Sequence, residues 1–184
     1  MEGINITLAT FRILVVNPLK EFTKYGIFEN DTCLYEWDVP VNEDWNRKSI
    51  KTQARLRTQS LIHHLEDIGF NMSRIAAICG RGGLLRPISG GTYLVNDKMI
   101  EDLEQSKYGF HVSNFGALIA SNLSKQLHVP AYIADPVVVD EMMDLAKATG
   151  LPDRKRKSIF HALNQKRSEE RRVGKECRSR RSPY

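Results

Sequence analysis

A chain of 184 residues with 41% hydrophobic content can close one domain core or one lobe of a larger enzyme, which excludes a short peptide or a disordered tract. Its net charge of +5 is gathered at one end: residues 167–184 hold seven Lys or Arg against three Asp or Glu, which leaves +1 for residues 1–166 and argues against a basic nucleic-acid-binding face on the body of the protein. No apolar run approaches the roughly eighteen residues of a membrane-spanning helix, and no basic segment followed by an apolar stretch opens the chain, so a cytoplasmic location without a membrane partner is expected.

In chain order, the first apolar run is Phe11-Arg12-Ile13-Leu14-Val15-Val16, rich in β-branched residues and punctuated by Asn17-Pro18, which predicts a buried strand opening into a loop. Lys24–Glu29 and Thr32–Val39 read as two strands of a hairpin around Asn30-Asp31, and with the first strand they make an antiparallel meander. From Asn46 to Gly69 the apolar residues Ile50, Ala54, Leu61, Ile62, Leu65 and Ile68 recur at helical spacing, and Gly69 closes the helix. Ile75-Ala76-Ala77-Ile78-Cys79 is a short continuous apolar run, as expected for a central strand, and it opens into Gly80-Arg81-Gly82-Gly83.

Helices are predicted over Asp97–Gln105 and Ser113–Leu127, then a strand over Val129–Ala134 leading into Asp135-Pro136, then a helix over Val138–Thr149 stopped by Gly150 and Pro152. Three antiparallel strands followed by alternating helices and strands predict an α/β fold, a mixed sheet flanked by helices. The cysteines, Cys33, Cys79 and Cys177, are odd in number and widely spaced, which suits neither a disulfide framework nor a zinc site.

Polar residues fall immediately after three of these strands: Asn17, Arg81 and Asp135. Open α/β sheets place ligands beyond the carboxyl ends of their strands, so this shared placement is the strongest functional signal in the residues themselves. Glycines beside Arg81 let backbone N–H groups approach an anion, and its planar guanidinium matches phosphate or carboxylate oxygens. Asp135 could hold Mg²⁺ among water and phosphate ligands, and His161 could donate a hydrogen bond to a transferred phosphoryl group. Each has a plainer reading: Asn17-Pro18 as a turn, Arg81 as a surface arginine, Asp135 as a helix cap and His161 as a satisfied core histidine.

Five blocks carry a resemblance to a known family. They are Ile13-Leu14-Val15-Val16-Asn17-Pro18, Gly80 to Tyr93 (GRGGLLRPISGGTY), Tyr108 to Asn114 (YGFHVSN), Asp135 to Glu141 (DPVVVDE) and Arg156 to Lys166 (RKSIFHALNQK). In this order they resemble the butyrate kinase family, within the acetate kinase, sugar kinase, Hsp70 and actin superfamily, over residues 11–166 and about the first half of such an enzyme. The resemblance implies a ribonuclease H-like mixed sheet forming one lobe of a two-lobe kinase. It also implies reversible transfer of the ATP γ-phosphoryl group to butyrate or a similar short-chain carboxylate, with Mg²⁺ required and ADP and an acyl phosphate as products. By the same resemblance Arg81, Asp135 and His161 are the catalytic residues, with Asp135 on the metal. Asn17, Lys20 and Lys24 contact phosphate or nucleotide, and Arg81, Gly82, Gly83, Phe110, His111 and Phe160 line the carboxylate site. Gly82 and Gly83 read as room for an acyl chain longer than acetate.

The chain departs from the family in three places. After the first strand the family runs Asn-Pro-Gly-Ser-Thr-Ser-Thr-Lys, whereas this chain has Asn17-Pro18-Leu19-Lys20-Glu21-Phe22-Thr23-Lys24, retaining only Asn17, Pro18, Thr23 and Lys24. Leucine does not readily adopt the positive φ of glycine, and Glu21 would repel phosphate unless it points away. Either Lys20 takes over as an anion contact or the loop is a degenerate copy. Secondly, the second lobe of the family is absent, so the chain alone is expected to be inactive. Thirdly, the resemblance stops at Lys166, and residues 167–184 read as a non-native, adapter-derived tail, with residues 1–10 as an N-terminal extension. The alternatives are a non-catalytic protein of the same fold and a nucleic-acid binder acting through the basic tail. A homo-oligomer is possible for a full-length protein.

Overall fold

The computed structural model describes residues 10–140 and 142–158. Six strands form a single mixed sheet: β1 (Arg12–Pro18), β2 (Phe22–Glu29), β3 (Thr32–Pro40), β4 (Ile75–Arg81), β5 (Thr92–Leu94) and β6 (Ala131–Ala134), in the spatial order β3-β2-β1-β4-β6-β5. The pairs β1–β2 and β2–β3 are antiparallel, β1–β4 and β4–β6 are parallel, and β5 closes the far edge antiparallel to β6. The sequence-based α/β mixed sheet is therefore present. The three parallel strands end side by side, which aligns the residues that follow them.

Among the described residues four α-helices accompany the sheet: α1 (Ile50–Asp67), α2 (Asp97–Glu104), α3 (Asn114–Leu127) and the one-turn α4 (Asp144–Lys147). Helix α3 lies on β1, β4 and β6, and both α1 and α2 pack against α3. The sheet residues that meet these helices are Leu14, Val16, Tyr25, Ile27, Ile78 and Ile133, all fully buried. They alternate along the strands with half-buried Ile13, Val15, Cys79 and Tyr132 on the opposite face, as a pleated strand requires.

Helix α1 begins at Ile50 rather than at Asn46, because the Ser49 side chain accepts from the Thr52 N–H at 3.2 Å and caps it, while Glu43–Arg47 forms a separate 3₁₀ turn. It ends as its glycine predicts. Gly69 takes φ +65°, and the N–H groups of Gly69 and Phe70 return to the carbonyls of Glu66 and Leu65 at 2.9 and 2.8 Å, the two bonds of a Schellman cap.

The structure differs from the sequence reading in two places. The helix predicted over Val138–Thr149 is reduced to Asp144–Lys147, since Val137, Val138 and Val139 are buried and Val139 bridges Ile88 in a parallel direction. Three consecutive β-branched residues favour this extended burial over a helical turn. Strand β5 was not foreseen, because three residues between a glycine loop and a helix cap carry no readable period.

The contact that seats α3 is made by two glycines. A Cβ on Gly80 would collide with the carbonyl of Gly116, and one on Gly116 would collide with the carbonyl of Arg81. The first turn of α3 thus rests directly on the end of β4. Asn114, fully buried beside it, accepts from the Leu84 N–H through Oδ1 at 2.8 Å and donates through Nδ2 to the Gly109 carbonyl at 3.1 Å. One side chain therefore ties the glycine loop and the segment before α3 to the helix start.

Alanine in place of a helix-interior glycine ordinarily gains about 1 kcal/mol. Here overpacking against backbone outweighs it, and Gly116→Ala is expected to lose about 2 kcal/mol net in urea denaturation; a neutral or stabilising result would contradict the contact. Asn114→Ala, which removes the partner of the half-buried Leu84 N–H and of the Gly109 carbonyl, should cost about 1–3 kcal/mol in the same measurement.

Candidate functional site

The carboxyl ends of β1, β4 and β6 carry Asn17, Arg81 and Asp135, so the fold brings three of the residues singled out in the sequence to one edge of the sheet. The Arg81 guanidinium donates through Nη1 to Asn17 Oδ1 at 3.4 Å, a long bond that leaves most of its fork for another acceptor. Arg81 pairs in register with Ala134, which places Asp135 one residue beyond the paired position.

Asp135 is exposed and holds the left-handed φ of +40°, an unusual conformation for a residue other than glycine. Two bonds to Gly91 fix it there: the Gly91 N–H donates to Asp135 Oδ1 at 2.9 Å, and the Asp135 N–H donates to the Gly91 carbonyl at 3.0 Å. One carboxylate oxygen is thus engaged by the loop and the other is left for a ligand. Among the described residues no three His, Cys, Asp or Glu side chains converge to hold a metal. A single carboxylate nevertheless fits Mg²⁺, which keeps several waters and is commonly held by one or two carboxylates together with substrate phosphates.

The glycines beside Arg81 serve packing. A Cβ on Gly82 would meet Pro136, and a Cβ on Gly83 would lie 2.6 Å from the Asn114 Cα and Oδ1. The space read in the sequence as room for a longer acyl chain is already filled by these two residues. The cause is tertiary: the glycines let the loop pass between the start of α3 and the segment after β6.

The loop between β1 and β2 is a tight turn, with the Leu19 N–H donating to the Phe22 carbonyl at 2.9 Å. Lys20 is exposed and lines a cavity of about 480 Å³ with Glu21, Glu43, Asp44 and Arg47. Lys24, opposite Asn17 in the β1–β2 register, places its ammonium 2.8 Å from Glu36 Oε1 and 3.1 Å from Asp38 Oδ1. Hydrogen bonding to Glu36 first and then to Asp38 raises the Lys24 pKa and commits its charge to β3. The Thr23 hydroxyl is 1% exposed and accepts from Arg57 at 2.7 Å, so it is also committed within the protein.

Phe110 is exposed and meets Phe115 edge to face at 5.9 Å between ring centres. His111 is exposed, with Nδ1 accepting from the Ser113 N–H at 3.2 Å. Both stand at the start of α3, on the side of the sheet where β4 ends. Phe160 and His161 lie outside the described residues, as do residues 1–9 and 159–184.

Sequence reasoning missed Asn114 and Arg57. Asn114 stood within a quoted block but gave no sign of its two backbone bonds. Arg57 looked like one more polar residue on an amphipathic helix; its position on the buried side of the α1 pattern, one turn before Leu61, was the available signal.

No family model matches the chain. A protein of Oceanobacillus iheyensis described as "Probable butyrate kinase" is 52% identical over 159 residues, covering 85% of this chain and 44% of that relative. The chain thus spans less than half the length of the curated relative it matches. Among solved structures, the acetate kinases of Entamoeba histolytica and Porphyromonas gingivalis are similar at TM-scores of 0.50 and 0.51 and identities of 11% and 12%. Each covers 77% of this chain, which in turn covers 39% and 41% of them. At such identities the structural likeness shows the fold, one lobe of the acetate kinase type, while the residue-by-residue match carries the relationship. Over those 159 residues the chain is a homologue of the Oceanobacillus protein described as a probable butyrate kinase.

Proposed function

We propose that this chain is the acyl-acceptor lobe of a butyrate kinase, which transfers the γ-phosphoryl group of ATP to the carboxylate of butyrate and runs reversibly. The observation that carries the reading is the meeting of Asn17, Arg81 and Asp135 at the ends of three adjacent parallel strands, with Asn17 bonded to Arg81. A carboxylate oxygen of butyrate attacks the γ-phosphorus, the bond to the bridging oxygen of ADP breaks, and butyryl phosphate forms. The free donors of Arg81 hold the carboxylate and the moving phosphoryl group in line. Asn17 orients Arg81 and shares the phosphate contact, Asp135 is the protein ligand for Mg²⁺, and bound Mg²⁺ supplies charge neutralisation at the phosphates.

Lys20 is the remaining cation of the turn with its charge available to nucleotide. Phe110, His111 and Phe160 flank the acyl chain, and His161 donates to the transferred group. Residues 11–166 make the lobe, residues 167–184 are foreign to it, and the protein works in the cytoplasm. A cleft that closes over ATP needs a second wall, so the 184-residue chain turns over little or no substrate by itself.

A second reading has its own support. Leu19 and Glu21 occupy the β1–β2 turn, and Lys24 is neutralised by Glu36 and Asp38, which favours a non-catalytic member of the fold.

The two readings separate in a chimera in which residues 11–166 of this chain replace the matching segment of the Oceanobacillus relative. With ATP, Mg²⁺ and butyrate, the kinase reading expects hydroxylamine-trapped butyryl hydroxamate, and Arg81→Gln should lower kcat/KM by about 10³-fold, the loss seen when one transition-state donor is removed. A folded, ATP-binding chimera that yields no hydroxamate would establish the non-catalytic reading.

A further inference from the structure

Arg57 is a cation in the wrong place for stability. It is 2% exposed, at the middle of α1, and among the described residues no carboxylate pairs with it. Its Nη1 donates to the Leu19 carbonyl at 3.0 Å and to Thr23 Oγ1 at 2.7 Å, while its Nε is buried without a hydrogen-bond partner. Burial pushes its pKa down, although an arginine remains charged throughout the physiological range. Tyr25, whose hydroxyl donates to the Arg57 carbonyl at 3.2 Å, has its own pKa raised by burial and offers no anion. Taking an unpaired guanidinium out of water is costly, and two hydrogen bonds to neutral oxygens offset that cost only in part.

Its surroundings supply a reason for keeping it. On one side it holds the turn Leu19–Phe22, which follows Asn17-Pro18. On the other its guanidinium carbon stands 4.8 Å from the centre of the Phe115 ring, and Phe115 precedes the glycine seated on the Arg81 carbonyl. Arg57 therefore lies beneath both walls of the edge where Asn17 and Arg81 meet. Its charge is neutralised by nothing described, and in a poorly screened interior it raises the potential at that edge. The turn has lost Lys24 to Glu36 and Asp38 and carries Glu21 beside Lys20, so it supplies little positive charge itself.

We infer that Arg57 is a positioning residue of the phosphate site: it clamps the β1–β2 turn by the Leu19 carbonyl and lends the site its buried positive charge. This rests on the reading of the Asn17–Arg81 edge as a phosphate site. A strut without an electrostatic role predicts something different, because its removal lowers stability and leaves anion affinity alone.

The test titrates Mg²⁺-tripolyphosphate into the 184-residue chain by ³¹P NMR at low and high salt, with a thermal melt on each sample. A folded Arg57→Met should bind about five- to tenfold more weakly than the wild type at low salt, and the difference should shrink at high salt. Arg57→Lys should recover most of the affinity. Equal affinity in wild type and a folded Arg57→Met would overturn the inference while leaving the phosphate site intact. Where the methionine variant does not fold, Arg57→Gln, which keeps one donor for Leu19, is judged by the same criterion. A wild-type chain that does not bind the probe overturns the phosphate-site reading beneath the inference, a failure visible before any variant is made.

Discussion

Everything at the carboxyl edge of the sheet is located by the near-contact of two backbones at Gly80 and Gly116. Because neither residue has a side chain, the first turn of α3 settles onto the last residues of β4. That places Asn114 where it can bind Leu84 and Gly109, and Phe115 where it can pack beside Arg57. A larger residue at either glycine would push the helix away and loosen the loop that carries Arg81, Gly82 and Gly83. The same economy of space recurs at Gly82 against Pro136 and at Gly83 against Asn114. Close-packed interiors transmit small displacements, so the position of Arg81 depends on atoms absent from its neighbours as much as on atoms present.

Electrostatics at this edge is a matter of which cations remain free. Lys24 is shared by two carboxylates of β3, and its pairing is of the exposed kind that contributes little to stability and much to orientation. Arg81 is held by a neutral asparagine, which orients the guanidinium without cancelling its charge. Asp135 is fixed through Gly91 in a conformation that few residues adopt, so its exposed carboxylate is held at a defined position. Of the groups considered at this edge, Arg81, the exposed Lys20 and the carboxylate of Asp135 have their charge uncommitted to a salt bridge, a balance suited to a phosphate that arrives with a divalent cation.

The parts of this arrangement that the sequence exposes are those with local causes. The β-branched runs of β1 and β4, the hairpin turn at Asn30, which takes φ +54°, and the glycine cap of α1 all follow from residue chemistry within a few positions. Asn17, Arg81 and Asp135 could be named because a polar residue directly after a buried strand is visible in the chain. What stayed hidden depends on distant partners. The fate of Lys24 requires the β2–β3 register that sets it opposite Asp38. The burial of Arg57 requires the turn after β1 to fold under α1, and the run Val137–Val139 became extended only because Ile88 was there to meet it. Gly82 and Gly83 were misread as open space because a missing side chain in the sequence does not say whether a neighbour has filled its volume.

The central claim is that Asn17, Arg81 and Asp135 surround one phosphate-sized space, and paramagnetic broadening tests it most directly. Mn²⁺-tripolyphosphate added in trace amounts to the ¹⁵N-labelled chain should selectively broaden the amides of residues 17, 19, 20, 81–83 and 135 together, with the rest of the sheet unaffected. Broadening confined to the acidic surface around Glu43 and Asp44, or scattered without a common centre, would contradict the account.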